Sequence, residues 1–469
     1  MPDPSDSPPF EPETQKPSRL LWWLHPKVAL PLTLLGLLLV APFLYRGYRI
    51  SRIPDIGDPF DVEAFGTVEI APADNAMTQY ALAVKSLRKP TGVAPDDYEK
   101  SEQGWTQTSE PLRKWLDDNQ VALAEWRKGT ERSQAVEIPP KDFRFSTIIE
   151  VTQESRELTR LAVLQAEQYA DYGDLESAWG WLLASVRASR HVQQNGVLMQ
   201  RLVGMSMFFN SADGIQRWSA HPAVTPDLLR QALSEFREAD RLTPPNSAAL
   251  KAEYLVLANT LRETPRHELM DYCFGVDGPP ALQSTVLYVM GDPELSLKAF
   301  QHVFANLLSE LDKPMRDRAP SVGGRFNLYD LPPGATHCLP AHELDKIVFS
   351  AYLARSTLPA YQQVGVAMDR EAARRAAVSL LLACQLHHRL HGDWPAKVED
   401  LVPNILDEPP ADPLGKSGEL MRLKRDGNDL VIYSVGLNGV DDGGNIDDSV
   451  GPNPNEALDQ GARAKWPKN

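Results

Sequence analysis

LQAEQYADYGDLESAWGWLLASV, residues 164–186, decides the fold class. Leu175, Ala178, Trp179, Leu182 and Val186 recur at the spacing of a helix with one apolar face. Gly173, lacking a Cβ, can take the left-handed conformation that ends a helix, and Asp174 offers a carboxylate to cap the next one. Ala166, Ala170 and Ala178 let two such helices approach closely. The helical spacing continues outward through Leu198, Leu202, Met205 and Phe209, through Leu250, Tyr254, Leu257 and Leu261, and through Leu297, Phe300, Phe304, Leu307 and Leu311. Thr225 followed by Pro226 is a cap with proline at the first helical position. Residues 74–312 therefore read as an α-helical body, and the chain as mainly α.

The joint at Gly173 resembles half of a tetratricopeptide-like hairpin, through Ala166, Tyr169, Ala170, Gly173 and Ala178. A shift of about 34 residues does not recover the pattern, so the resemblance implies an array of helical hairpins and not a regular solenoid.

On the amino side of the body lies VALPLTLLGLLLVAPFLY, residues 28–45, without a charged side chain. At about 1.5 Å per residue, that length of helix spans roughly 27 Å, against a hydrocarbon core of about 30 Å. Trp22 and Trp23 at one end, and Tyr45 and Tyr48 at the other, suit the headgroup level. Residues 20–48 read as a transmembrane anchor, 1–19 as a proline-rich disordered tail and 49–73 as a linker. The rival reading is a cleaved signal peptide. Against it stand the 27 residues before the apolar run and the lack of a small-x-small site after it. Lys16, Arg19 and Lys27 balance Arg46, Arg49 and Arg52, so flanking charge leaves the orientation open.

The whole chain of 469 residues has 48 basic and 63 acidic side chains, a net charge of −15. A nucleic-acid binder needs a basic face to displace counterions from phosphates, and that class is excluded here. Three cysteines, Cys273, Cys338 and Cys384, cannot form a disulfide framework.

Residues 313–341 interrupt the helices with five prolines and three glycines and read as a boundary. Beyond it, a helix from about 342 to 354 leads into a small α+β region over 342–450, with 451–469 as a flexible tail. There a helix from about Asp369 to His391 stops at Gly392, before Asp393-Trp394-Pro395. Asp412-Pro413-Leu414-Gly415 follows. Leu420–Lys424 and Leu430–Val435 flank Asp426-Gly427, a hairpin signal. The hairpin leads into Tyr433-Ser434-Val435-Gly436 and an acidic glycine loop, residues 440–448.

That order of parts resembles the globular domain of the type II secretion major pseudopilin over about a sixth of the chain, residues 372–448. The resemblance implies a calcium ion in the final loop, with Asn438, Asp441, Asp442, Asp447 and Asp448 as the candidate ligands. Crowded hard oxygens among glycines suit calcium's flexible coordination. It also implies a body outside the bacterial inner membrane. The 300-odd intervening residues and the lack of a prepilin-peptidase site depart from the family and speak for a borrowed module, as in uncharacterised single-pass envelope proteins, and against filament assembly.

Other chemistry is sparse. His387 and His391 stand one turn apart with His388 adjacent, a spacing that can share a metal. Packing near Trp394 is the competing reading. His337, Cys338 and His342 lack a second cysteine pair, and Met199, Met205 and Met207 suit a core. No Gly-x-Ser-x-Gly, Walker loop, dinucleotide fingerprint or His-Glu-x-x-His occurs. Two functions stay open: a membrane-anchored scaffold with protein partners, or a membrane-tethered hydrolase whose site lies between body and terminal domain. Exposed aromatics such as Trp179 or Trp181 would favour the first, and converging buried acids or histidines the second.

Overall fold

The computed structural model describes residues 26–101, 103–265, 269, 281–322, 324–446 and 459–466. The tail 1–19, Trp22, Trp23, Cys273, Asp447, Asp448 and the tail segments 451–458 and 467–469 lie outside them. The helices are α1 (Pro26–Ser51), α2 (Val62–Gly66), α3 (Ala76–Ser86), α4 (Pro95–Ser101), α5 (Glu110–Asp118), α6 (Gln120–Thr130), α7 (Glu150–Asp171) and α8 (Leu175–Gln193). They continue as α9 (Leu198–Ser219), α10 (Pro226–Asp240), α11 (Asn246–Glu263), α12 (Ala281–Val289), α13 (Glu294–Leu308), α14 (Ala341–Ser350) and α15 (Tyr352–His391). Three short strands follow: β1 (Arg422–Asp426), β2 (Asp429–Ser434) and β3 (Gln460–Ala464).

Capping sets the joints. Gly173 lies at φ 83°, and the Asp174 carboxylate accepts the Ser177 amide at 3.0 Å. Thr225 accepts the Leu228 amide at 3.2 Å at the start of α10. Helices α7, α8 and α9 pack in succession. Their joint core includes Leu161, Leu182, Val186 and Phe208. On α9 the apolar stripe turns by one residue from its expected place: Phe208 is buried and Phe209 is 36% exposed. Trp179 and Trp181 are not surface aromatics. Trp179 stacks on Trp218 at 5.0 Å and donates to Glu235, while Arg127 covers Trp181 at 4.6 Å. Gly180 leaves room for the Arg127 guanidinium, which a Cβ there would meet at 2.8 Å.

Helix α1 is the one described helix long and apolar enough to cross a membrane, over Ala29–Ser51. Leu30, Leu37, Leu38 and Phe43 on it are exposed. Its end is fastened to the body by Arg46. That side chain is buried, pairs with Glu294, donates to the Tyr288 and Asp292 carbonyls and lies over the Tyr288 ring.

The interruption at 313–341 does not divide the chain into separate cores. Helix α15 runs for 40 residues through Pro359 and Gly365, where the sequence suggested two helices. Its first half joins a cluster with α11, α13 and α14, through Leu353, Leu358 and Met368. Its second half is apolar on more than one side. Ala377, Val378, Leu381 and Cys384 are all buried in the core that holds α7–α10 and also Leu430, Ile432 and Ala462 of the sheet. The region 342–450 thus borrows its core from the body.

The hairpin forms as the sequence predicts. Arg422 pairs with Tyr433 and Asp426 with Asp429 around Gly427, at φ 61°. The tail does not stay free throughout. β3 pairs antiparallel with β2, Leu430 opposite Ala464 and Tyr433 opposite Gly461. A Cβ at Gly461 would collide with the Ile432 carbonyl, so only glycine permits this approach. The strand GARA has almost no apolar signal, because small Ala462 and Ala464 fill the space against α15.

Candidate functional site

The proline-rich segment 313–341 roofs a cavity. Proline removes the amide donors that a helix needs, and the segment instead holds itself by local bonds. The Val322 amide donates to the Leu328 carbonyl at 2.9 Å, which turns Phe326 and Leu328 inward. Asn306 of α13 clamps Tyr329 from both sides, donating to its carbonyl at 2.8 Å and accepting its amide at 2.9 Å. Beneath lies a cavity of about 530 Å³ walled by Leu250, Val303, Leu307, Leu311 and Leu358.

Its polar end is one ion pair. Arg318 donates to both oxygens of Asp369, at 2.7 and 2.6 Å, and to the Leu311 carbonyl at 3.1 Å. Burial raises the pKa of Asp369 despite the opposing pull of Arg318, and burial also raises that of Tyr329. The two ionised groups are each other's partners, so Asp369 is not held free as a base. The neighbouring residues stitch the roof to the terminal region. Met315 donates its amide to Pro413 at 3.1 Å, Arg316 donates Nε to Leu414 at 2.9 Å, and Asp317 accepts the Ser417 amide at 3.0 Å. The cavity therefore sits where body and terminal region meet, with apolar walls and not with converging bases.

The motifs that carry the pseudopilin resemblance are bonded to one another. The Asp412 carboxylate accepts the Ser434 hydroxyl at 2.6 Å and the Leu414 amide at 2.9 Å. In the acidic loop, Asn438 accepts the Val440 amide, and Asp441 accepts the Gly443 amide and pairs with Arg422 at 2.7 Å. Asp442 keeps a buried Oδ2 without a hydrogen-bond partner. Asp447 and Asp448 lie outside the described residues. Among the described residues, no three His, Cys, Asp or Glu side chains converge as a metal site.

What organises the loop is a residue that sequence reasoning missed. Asp459 accepts the Gly444 amide at 2.7 Å and those of Gly436 and Asp442 at 3.3 and 3.4 Å. Burial nevertheless lifts its pKa. Asp459→Ala leaves three amides without an acceptor, at about 1–3 kcal/mol for a buried donor. Hydrogen exchange at Gly436, Asp442 and Gly444 should accelerate by at least about tenfold. Unchanged exchange would show that the loop holds its shape without this carboxylate.

The histidines pack. His387 and His391 lie 4.5 Å apart, and His387 meets the Asp393 carbonyl through Nδ1 at 3.0 Å. His388 sits between Trp394 at 4.5 Å and Trp466 at 4.1 Å. Cys338 contacts the Thr336 hydroxyl, while Met205 and Met207 are core and Met199 is exposed. Burial pushes the Cys384 thiol far up, which makes it inert.

A buried cluster of charges was also invisible in sequence. Glu371 on α15 is fully buried and meets Arg190 at 2.5 Å, Arg201 at 3.1 Å and Gln193 at 3.1 Å. Asp240 takes Arg375 at 3.0 Å and Arg190 at 3.4 Å. Burial alone would raise the Glu371 pKa, but Arg201, Arg190 and Arg375 together outweigh it and hold it low. This cluster ties α15 to α8, α9 and α10.

Comparison with models of known protein families, with curated proteins and with solved structures finds no match for the chain.

Proposed function

We propose that the protein is a single-pass envelope scaffold of the bacterial inner membrane, anchored by α1, which holds an apolar group of a partner protein in the cavity under 313–341. One observation carries the choice of binding over hydrolysis: the acid in that cavity, Asp369, already has both oxygens on Arg318. A largely apolar, pre-formed cavity with one polar end is the usual form of a binding site. Placement of the body outside the membrane rests on the pseudopilin resemblance, and protease access to intact cells tests it.

Val366 lines the cavity, and Asn327, exposed, stands at its rim. A photo-crosslinker at Asn327 in intact cells should give one discrete adduct, which Val366→Trp abolishes without lowering the melting midpoint. Labelling of Ser321 in the same cavity by a fluorophosphonate would instead favour the hydrolase.

Calcium enters this reading through Asp442, whose unpartnered Oδ2 leaves one hard donor in the loop. A ligand present at about a hundred times its dissociation constant stabilises by roughly 2.7 kcal/mol. The full chain should therefore melt higher in calcium than in magnesium or chelator; three coincident melts would remove the ion from the proposal.

A further inference from the structure

Where α1 leaves its apolar stretch, a cavity of about 690 Å³ opens between its last turns, the start of α13 and helix α14. Its walls carry Arg49, Arg52 and Lys346 against a single acid, Glu343, with Tyr45 and Tyr48 at the rim. That is a net positive lining in a chain of net charge −15. Arg49 donates one Nη to the Ser350 carbonyl at 3.1 Å, while its other Nη is buried and has no hydrogen-bond partner. An unpaired buried guanidinium nitrogen is costly unless an anion completes it.

The level of the cavity names the anion's source. Leu44 is the last apolar residue of the exposed stretch, and Arg49 follows five residues later. At about 1.5 Å per residue that is roughly 7 Å. A bilayer about 40–45 Å thick around a 30 Å hydrocarbon core leaves roughly 5–7 Å of headgroup region on each side. With the hydrocarbon boundary at Leu44, the arginines stand at phosphate depth. Acyl chains can then lie along exposed Phe43 and Leu44. Arg46, locked to Glu294 and to the 288–292 turn, keeps the cavity fixed relative to the helix.

We propose that this cavity is a headgroup site for an anionic phospholipid, held through its phosphate by Arg49, Arg52 and Lys346. The inference rests on the reading of α1 as a membrane anchor. The test uses the full chain purified in a neutral detergent and mixed with equimolar phosphatidylglycerol and phosphatidylcholine, with bound lipid counted by native mass spectrometry. Phosphatidylglycerol should be retained at least about tenfold over phosphatidylcholine, as expected when two or more basic side chains each favour an anionic surface. The triple variant R49Q/R52Q/K346Q should lose that preference, whereas Arg49→Lys keeps it. Equal retention of both lipids by the wild-type chain overturns the proposal, and so does equal competition by free glycerol phosphate, which would mark a soluble-phosphate site. Flotation with vesicles separates the two readings. A chain that floats but shows no anionic preference loses only the lipid site, and one that fails to float with either lipid loses the anchor as well.

Discussion

Glu371→Gln should destabilise the protein by about 3–5 kcal/mol, the usual cost of leaving a buried charge without its partner. Arg190 and Arg201 are both fully buried against this one carboxylate, and the Arg190 guanidinium also lies 4.2 Å from the Phe208 ring centroid. The substitution keeps the shape and the contact with Gln193 but removes the charge. Asp240 remains nearby, yet it already serves Arg375 and is partly exposed, so it cannot replace Glu371. Urea unfolding of the full chain in a fixed neutral detergent measures the effect. A loss below about 1 kcal/mol would mean that the arginines are hydrated and that the cluster contributes little. The companion variant R190M/R201M/E371M, which removes the carboxylate together with both arginines that face it, should cost less than Glu371→Gln alone, because well-packed apolar groups can replace a buried ion cluster.

The second large effect is acid sensitivity centred on His191. Its imidazole is buried and meets the Tyr80 hydroxyl through Nδ1 at 2.7 Å. Burial pushes its pKa down to about 4, and the Arg187 charge adds to this, against a raising bond with the Arg132 backbone. The unfolded chain has the ordinary value of about 6.5 and so binds the proton first as pH falls. Stability from this residue is complete above pH 6.5 and is lost between 6.5 and 4. The loss is about 2 kcal/mol at pH 5 and about 3 kcal/mol below pH 4. His191→Gln can still meet Tyr80 but cannot be protonated. Between pH 7.5 and pH 5 its stability should fall by about 2 kcal/mol less than that of the wild type. Parallel pH profiles would place the acid sensitivity elsewhere.

Both effects belong to side chains that sequence alone could not pair, and the reason is distance along the chain. Gly173 with Asp174, Thr225 with Pro226 and Asp426 with Gly427 are adjacent, and each encodes its turn by local sterics and capping. Those features were legible, as was the apolar run of α1. Glu371 and Arg190 are 181 positions apart and meet only after α8 and α15 pack. Asp459 shapes a loop that begins before residue 440, across a gap that no short motif spans. Arg318 and Asp369 likewise define the cavity's polar end from two segments that read as loop and helix start. The stripe through Leu202, Met205 and Phe209 gave the right period on α9 but missed buried Phe208, because period fixes spacing more firmly than phase.

Helix α15 is roughly 60 Å of continuous backbone, and each of its halves is a wall of a different core. Among the described residues, the sheet packs on this helix and its neighbours. Cutting the chain at 355 would strip α15 of α13 and α14 at one end and of α9 and α10 at the other. The resulting fragment would carry a rod with most of its apolar surface bare. The terminal region thus shares its core with the body. A load applied at the α13–α14 end of α15 is carried to the sheet through one continuous helix and not across a hinge.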